Sequence, residues 1–329
     1  MSRTFVVIAA AVALSLPVRA GETPSLSLPI GCTIGQGCQV QNYVDKDAGP
    51  GARDFACGGL TYDGHKGTDI RLRDAAAMNA GVVVRAAADG TVKGVRDEMA
   101  DVSIRDAGAP DIKGRECGNG VVVEHGDGWV TQYCHMRRGS VRVKAGDKVA
   151  RGGALGLVGL SGDTEFAHLH FELRKGETVV DPFTGMASGT TVCGLSSSGL
   201  WEASAAAAIA YKPAALLVGG FADRGLDLPS LERAPPAAPG LRSPALVAYV
   251  RVLGVRAGDI ETLTVIGPDG NAFVSKGPSP LAKAKVQWLS FAGRKRTGAA
   301  WPAGVYRARY KLERDGLIML DETFSATLR

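Results

Sequence analysis

The stretch that decides the fold is His168-Leu-His-Phe-Glu-Leu173, in which polar and apolar residues alternate. Alternation with a period of two is typical of a β-strand that has one buried face. The apolar members would point into a core, whereas His168, His170 and Glu172 would share the opposite face. We therefore predict a strand that presents two imidazoles and a carboxylate on one side.

Similar short segments lie before this strand, and glycine-containing turns separate them. Thr68–Leu72 alternates in the same way, and Gly126–Gly128 has the composition of a hairpin turn. No helical periodicity is long enough to compete with this pattern. Further strands are predicted to begin at Val82, Gly90, Gly120, Trp129 and Ser140. The predicted fold class is therefore all-β, with an antiparallel β domain in the first part of the chain.

The composition changes after Cys193. Ser196–Ala210 is rich in serine and alanine, which favours a linker or a short helix, and the proline-rich stretch 234–240 favours a loop. Strand-like segments resume between Ala245 and Leu328, which predicts a small β-sandwich. We place the domain boundary near Gly194, so that residues 195–329 form a second domain of unknown role.

Two short motifs contain residue types that bind metals. His65-Lys-Gly-Thr-Asp69 has the form HxxxD, and His168-Leu-His170 has the form HxH. Two imidazoles and one carboxylate, with water in the fourth position, are a common catalytic zinc set. Either motif alone arises often by chance, but their combination in one β domain is specific. The sequence has no HExxH, which excludes the helical scheme of zinc proteases.

The five histidines all lie before Ser196, so we expect no catalytic group in the second domain. They are His65, His125, His135, His168 and His170.

The chain begins with the pattern of a secretory signal peptide, predicted to span residues 1–20. Arg3 precedes an apolar run from Phe5 to Leu16, and a small residue, Ala20, stands at the predicted cleavage site. The run is too short to span a bilayer comfortably, so we expect no membrane span in the mature chain. The net charge is only +5 and no basic run is present, which argues against nucleic-acid binding.

Six cysteines in an exported chain indicate disulfides rather than free thiols. They permit fifteen pairings, among which the sequence alone does not decide. We expect Cys117–Cys134, because these residues lie near each other on the two arms of the hairpin at Gly126–Gly128. Strand alternation would place Cys134 opposite His135, so this bond would brace the histidine from behind.

Several segments, in order, resemble the lysostaphin/LytM family of zinc metallopeptidases over roughly Tyr62 to Pro182. They are Gly64-His-Lys-Gly-Thr-Asp69, Ala87-Ala-Asp-Gly-Thr-Val92, Val123-Glu-His-Gly-Asp-Gly128, Gln132-Tyr-Cys-His135, Val143-Lys-Ala-Gly-Asp147, Gly156-Leu-Val-Gly159, His168-Leu-His-Phe-Glu172 and Val180-Asp-Pro182. The resemblance implies a LytM-type antiparallel β catalytic domain within residues 21–194. This chain differs from the family pattern in the stretch Asp97–Cys117, which is longer than the usual hairpin connection and is predicted to form a loop near the cleft.

The resemblance also implies the roles of the histidines. His65, Asp69 and His170 would bind one zinc ion, and His135 and His168 would be the catalytic pair beside it. Either member of the pair would take the proton of the water, and the sequence leaves open which one does. His125 matches a position that we interpret as structural.

The expected function is that of an exported bacterial enzyme, periplasmic or extracellular, that hydrolyses peptides of peptidoglycan. Relatives cleave between glycines or next to D-alanine. Two alternatives remain open at this point. The first is a non-catalytic wall-binding or amidase-activating module, and the second is a secreted bacteriolytic enzyme directed at competitors.

Overall fold

The computed structural model describes residues 23–106, 108–109, 111–194 and 199–329. The predicted signal peptide, residues 1–20, lies outside these residues. The strands are β1 (Cys38–Asn42), β2 (Thr68–Leu72), β3 (Val83–Arg85), β4 (Gly90–Arg96), β5 (Asn119–Gly126), β6 (Trp129–Met136), β7 (Lys148–Val149), β8 (Ala154–Leu157), β9 (His168–Lys175), β10 (Thr178–Val180), β11 (Ala215–Ala222), β12 (Ala245–Val255), β13 (Ile260–Ile266), β14 (Ala272–Pro280), β15 (Lys285–Lys295), β16 (Gly304–Arg314) and β17 (Leu317–Leu328). The helices are α1 (Ala75–Ala80), α2 (Ala203–Ala208) and α3 (Leu228–Arg233).

An antiparallel sheet dominates the first half of the described chain, as the sequence predicted. Its strands follow the order β1-β2-β9-β6-β5-β4-β7, and β10 pairs with β9. Strand β9 lies between β2 and β6, so its residues face partners on both sides. The register places Asp69 beside His170 and Arg71 beside His168. Two chain segments that are about a hundred residues apart are thereby brought to one place on the sheet.

The predicted two-faced character of β9 is confirmed. Leu169, Phe171 and Leu173 are each fully buried and belong to the first hydrophobic core. Burial of these side chains is favourable by about 25 cal/mol per Å² of apolar surface. His168 and His170 lie on the opposite face, which carries the polar groups of the sheet.

The second half of the described chain contains two antiparallel sheets around a second core. One sheet has the order β11-β12-β15 and the other β14-β13-β16-β17. Strand β12 is buried along its whole length, and alternate residues of β16, such as Tyr306, Tyr310 and Leu312, fill the space between the sheets. This arrangement agrees with the predicted sandwich. Helix α3 precedes the proline-rich stretch and was not predicted.

The two cores meet between Ile209 and Ala214. Trp201, Ala205 and Ile209 pack into the first core, and Ala214 begins the second. We call residues 23–211 the first region and residues 214–329 the second region. The predicted boundary near Gly194 remains a prediction about folding units, since core membership alone does not define them.

Three disulfides join the six cysteines, all in the first region, and the described residues contain no free cysteine. They are Cys32–Cys38, Cys57–Cys193 and Cys117–Cys134. The predicted Cys117–Cys134 bond is confirmed. Among the helices of the described residues, none has the length and apolar character that a membrane span requires.

Candidate metal centre

The loop that carries His65 is shaped by a buried carboxylate. Asp45 accepts a hydrogen bond of 2.9 Å from the backbone N–H of Gly64, and its own N–H donates to the carbonyl of His65 at 2.8 Å. Gly64 has φ of 74°, a conformation that glycine adopts without steric cost. The Nδ1–H of His65 donates to the carbonyl of Tyr43 at 2.7 Å, so its Nε2 faces the sheet.

Asp69 and His170 meet across the β2–β9 pair. Oδ1 of Asp69 lies 2.9 Å from Nδ1 of His170 and 3.2 Å from Nε2 of His65. Nε2 of His65 lies 3.2 Å from Nδ1 of His170. The other carboxylate oxygen, Oδ2, accepts a hydrogen bond of 2.9 Å from the side chain of Asn42, which fixes the orientation of Asp69. The predicted trio of ligands therefore converges on one point.

The spacing of these three atoms fits a zinc ion. Zinc bonds of about 2.0–2.1 Å in a tetrahedron would place ligand atoms roughly 3.3 Å apart. The distances of 2.9–3.2 Å among the three donor atoms are close to that value. His135, His168 and His170 form a second trio that could hold a metal by distance, but it shares His170 and lacks a carboxylate.

His135 and His168 lie beside the trio with their ring orientation fixed in the same way. Nδ1–H of His135 donates to the carbonyl of Ser161 at 2.8 Å, and Nδ1–H of His168 donates to the carbonyl of Phe166 at 2.9 Å. Because a carbonyl can only accept, each neutral ring has a lone pair on Nε2. Nε2 of His168 lies 3.5 Å from Oδ1 of Asp69. The imidazole rings of His135 and His168 are 4.6 Å apart.

His135 reaches the site through an unusual backbone conformation. Its φ is 59°, in the left-handed region that residues with a Cβ rarely adopt. The turn in the chain places His135 and Cys134 on the wall of the same cleft. The prediction that Cys134 lies behind His135 is therefore wrong, because strand alternation does not hold at a left-handed residue.

Burial and mutual contact determine the ionisation of the cluster. Burial alone would raise the pKa of Asp69, but the imidazoles around it hold that pKa well below its usual range. Burial, together with the neighbouring His168 and His170, holds the pKa of His135 well below its usual range. Burial alone would lower the pKa of His170, but Asp69 and Glu172 raise it to about 9. Protons therefore compete with a metal ion for His170.

The cluster opens into a cleft of about 500 Å³. Its wall includes Arg115 and Glu116, which confirms that the long loop Asp97–Cys117 lies at the cleft. The charged side chains on the wall are Lys66, Arg96, Arg115, Arg174, Glu116, Asp163 and Glu172, together with the histidines. Cations and anions are thus interspersed around the metal-binding face.

Two further residues near the site are Asn42, which the sequence did not indicate, and His125, which lies outside the cluster. Asn42 holds Asp69, and no motif in the sequence pointed to it. His125 lies away from the cluster, where its ring bonds the carbonyl of Asp89 and the hydroxyl of Thr131, each at 2.7 Å. These contacts agree with a structural role for His125.

Comparisons with known proteins place the site in a recognised segment. Residues 63–182 match Peptidase family M23. Cell division protein DipM of Caulobacter vibrioides is 47% identical over 64 residues, which are 20% of this chain and 10% of that protein. Peptidoglycan DD-endopeptidase ShyA of Vibrio cholerae is 34% identical over 109 residues, which are 33% of this chain and 20% of that protein.

Solved structures are similar over a comparable part of the chain. A zinc-containing peptidase from Vibrio cholerae is 27% identical, with a TM-score of 0.30, and the match covers 44% of this chain and 35% of that one. The chain therefore spans only a tenth to about a third of the length of these relatives.

Proposed function

We propose, from the match of residues 63–182 to Peptidase family M23, that the chain is an exported zinc metalloendopeptidase that hydrolyses peptides of bacterial peptidoglycan. The observation that carries the proposal is the convergence of Oδ1 of Asp69, Nε2 of His65 and Nδ1 of His170 within 3.2 Å of one another. Two further imidazoles stand beside this trio. Export is supported by three disulfides, which form in oxidising compartments.

The trio His65, Asp69 and His170 would hold one zinc ion. A zinc ion in such a site supplies a bound water of near-neutral pKa and polarises the carbonyl of the scissile bond. The residues around the trio keep its donor atoms in place: Tyr43 holds His65 and Asn42 holds Asp69. Partners of this kind commonly raise metal affinity by fixing the ligands.

His135 and His168 would handle the protons. In each neutral ring the Nδ1–H is bound to a backbone carbonyl, so Nε2 is the atom that accepts a proton from the attacking water. The lowered pKa of His135 keeps this ring neutral and ready to accept. The protonated member of the pair can then donate to the leaving amine. The centroids of the two rings are 4.6 Å apart, so both rings can exchange protons with the groups of one scissile bond.

The complete set of five site residues favours an enzyme over a non-catalytic wall-binding or amidase-activating module. A bacteriolytic enzyme directed at competitors would use the same chemistry. One relative, ShyA, is a peptidoglycan DD-endopeptidase by name, which supports a wall substrate for this chain. The cationic side chains at the cleft, among them Lys66 and Arg115, suit peptides that carry carboxylates.

The test is digestion of purified muropeptides with the mature protein, followed by mass spectrometry of the products. We expect one new amine and one new carboxylate per cut, a mass gain of one water, and loss of cleavage after chelation. Zinc added back should restore cleavage. Binding of peptidoglycan without any cleavage by the zinc-loaded protein would overturn the enzymatic proposal and favour the binding module.

A further inference from the structure

Glu232 connects the two regions of the molecule through two buried cations. It lies on α3 in the second region, and its carboxylate accepts two hydrogen bonds from Arg71 of β2, at 2.8 and 2.6 Å. It also pairs with Arg251 of β12. The side chains of Arg71 and Arg251 are 0% and 1% exposed. Glu232 is therefore the shared counter-ion of one guanidinium from each region.

The guanidinium of Arg71 is held in one orientation from several directions. It donates to the side-chain oxygen of Gln41 at 2.6 Å and to that of Gln287 at 3.0 Å. Its Cζ lies 4.2 Å from the centre of the Phe166 ring, a cation–π contact in a buried setting. The side chain thus connects Glu232 with Phe166.

Phe166 in turn contacts the proposed catalytic residue His168 in two ways. The two rings lie 4.7 Å apart at an angle of 35°. The carbonyl of Phe166 accepts the Nδ1–H of His168 at 2.9 Å and the hydroxyl of Thr164 at 2.8 Å. A shift of Phe166 would therefore change both the tilt of the His168 ring and the bond that directs its Nε2 to the site.

We propose that Glu232 is a positioning residue for His168, acting through Arg71 and Phe166, so that the second region completes the active site of the first. The rate effect rests on the proposed function, whereas the effect on the His168 ring does not. Without the Glu232 charge, two buried guanidinium groups of like charge would face each other with no counter-ion. Arg71 would then move from its place over Phe166, and His168 would lose its support.

The experiment compares Glu232→Gln with Glu261→Gln in the full chain. Glu261 is the matched control, because it is a buried glutamate of the second region that binds Lys276 at 2.6 Å and Trp288 at 3.0 Å. Zinc content, kcat and KM on muropeptides, and ¹⁵N resonances of the histidine rings are measured on each folded preparation. The His168 signals are those that vanish in His168→Gln.

We expect Glu232→Gln to lower kcat by about tenfold to a hundredfold, the usual cost of losing an outer positioning partner. KM and zinc content should stay within about twofold of wild type, and the His168 ring resonances should shift. Glu261→Gln should leave kcat and these resonances unchanged. Arg71→Lys, which keeps the charge and loses the flat guanidinium over Phe166, should resemble Glu232→Gln, and Glu232→Asp should recover part of the rate.

The proposal is overturned if folded, zinc-loaded Glu232→Gln keeps the wild-type His168 resonances. It is equally overturned if Glu261→Gln produces the same shift and the same loss of rate, since the effect would then be general destabilisation of the sandwich. If the wild-type protein hydrolyses no muropeptide, the resonances still decide about positioning, and only the proposed function is lost.

Discussion

The two regions achieve stability by different means. The first region contains all five histidines and all six cysteines of the chain, and it buries many polar side chains. The second region has neither residue type, and its core of aliphatic and aromatic residues lies between two sheets. A polar active site cannot be held by apolar packing alone, because each buried polar group needs a partner. Disulfides and buried carboxylates supply that support in the first region.

Asp54 illustrates how the first region satisfies its polar groups. Its carboxylate accepts the backbone N–H groups of Ala56, Gly58 and Leu60 and the hydroxyl of Tyr211. Such a carboxylate organises a loop that has no regular secondary structure. The second region relies much more on regular hydrogen bonding between long strands. The site residues therefore lie beside loops that buried side chains hold in place, whereas the sandwich of the second region is stabilised by hydrogen bonding along its long strands.

The strongest test of this contrast removes one ligand and, separately, its neighbour on the same strand. We expect His170→Ala to lose bound zinc and at least a thousandfold of the rate, because it removes a proposed ligand. His168→Ala should keep zinc and lose about a hundred- to ten-thousandfold of the rate, as expected for general acid–base help. Metal analysis and hydrolysis rates on the same preparations provide the measurement.

His125→Gln is the control for loss of an imidazole, since His125 contacts Asp89 and Thr131 rather than the metal-binding trio. It should retain both zinc and most of the rate. If His168→Ala lost zinc as completely as His170→Ala, His168 would be a ligand and the proposed division of roles would be wrong.

A matched pair of tryptophans separates the two cores. Trp201 and Trp301 are both 8% exposed, the first in the core of the first region and the second in that of the second. Replacing either with alanine should cost about 3–5 kcal/mol of the free energy of unfolding, because a large cavity is left. Trp201 packs 5.5 Å from Phe171 on β9, the strand that carries His168 and His170.

Only Trp201→Ala should therefore lower kcat in the folded protein, while Trp301→Ala should affect stability alone. Chemical denaturation and rates well below the unfolding midpoint distinguish the two effects. Equal loss of kcat in both variants would show that the regions do not differ in their coupling to the site.

Local alternation predicted the β9 strand and its two faces, and the nearness of two cysteines along a hairpin predicted the Cys117–Cys134 bond. The grouping of Asp69 with His65 and His170 came from the family resemblance, because local alternation does not show which strands pair. The left-handed backbone at His135 broke the alternation and was not foreseen. Local pattern also cannot predict that Arg71 lies against Glu232, because that contact joins residues 161 positions apart through the packing of two regions.

Removal of the disulfide at the cleft, Cys117–Cys134, tests whether this cross-link of the first region contributes to catalysis. Changing both Cys117 and Cys134 to serine should cost about 3 kcal/mol, the value for a loop of roughly fifteen residues. It should also lower kcat, because the backbone N–H of His135 donates to the carbonyl of Cys117 at 2.8 Å. Cys32→Ser with Cys38→Ser is the matched control, since this pair spans only six residues and lies outside the cleft lining. A normal kcat in the cleft variant would contradict a catalytic role for the brace.

The smallest expected effect concerns the contact between the regions at Glu232, and how its contribution to the free energy of unfolding depends on pH. Burial alone would raise the pKa of Glu232, but Arg71 and Arg251 hold it below its usual range. A lowered pKa in the folded state means that the ionised group stabilises the fold above its ordinary pKa of about 4.3, and that this contribution is lost as the pH falls through the folded-state value. The side chain is 20% exposed, so water replaces part of what the substitution removes.

We therefore expect wild type to exceed Glu232→Gln by about 1–3 kcal/mol in free energy of unfolding between pH 6 and 8. This difference should shrink below about pH 4, because acid then neutralises Glu232 in the wild type as well. Denaturant titrations across this range measure it, with the exposed Glu177→Gln as a control that shows little difference at any pH. A difference that grew in acid would mean that the two guanidinium groups do not need the charge of Glu232. Neutral hydrogen bonds and packing would then hold the two regions together at this contact.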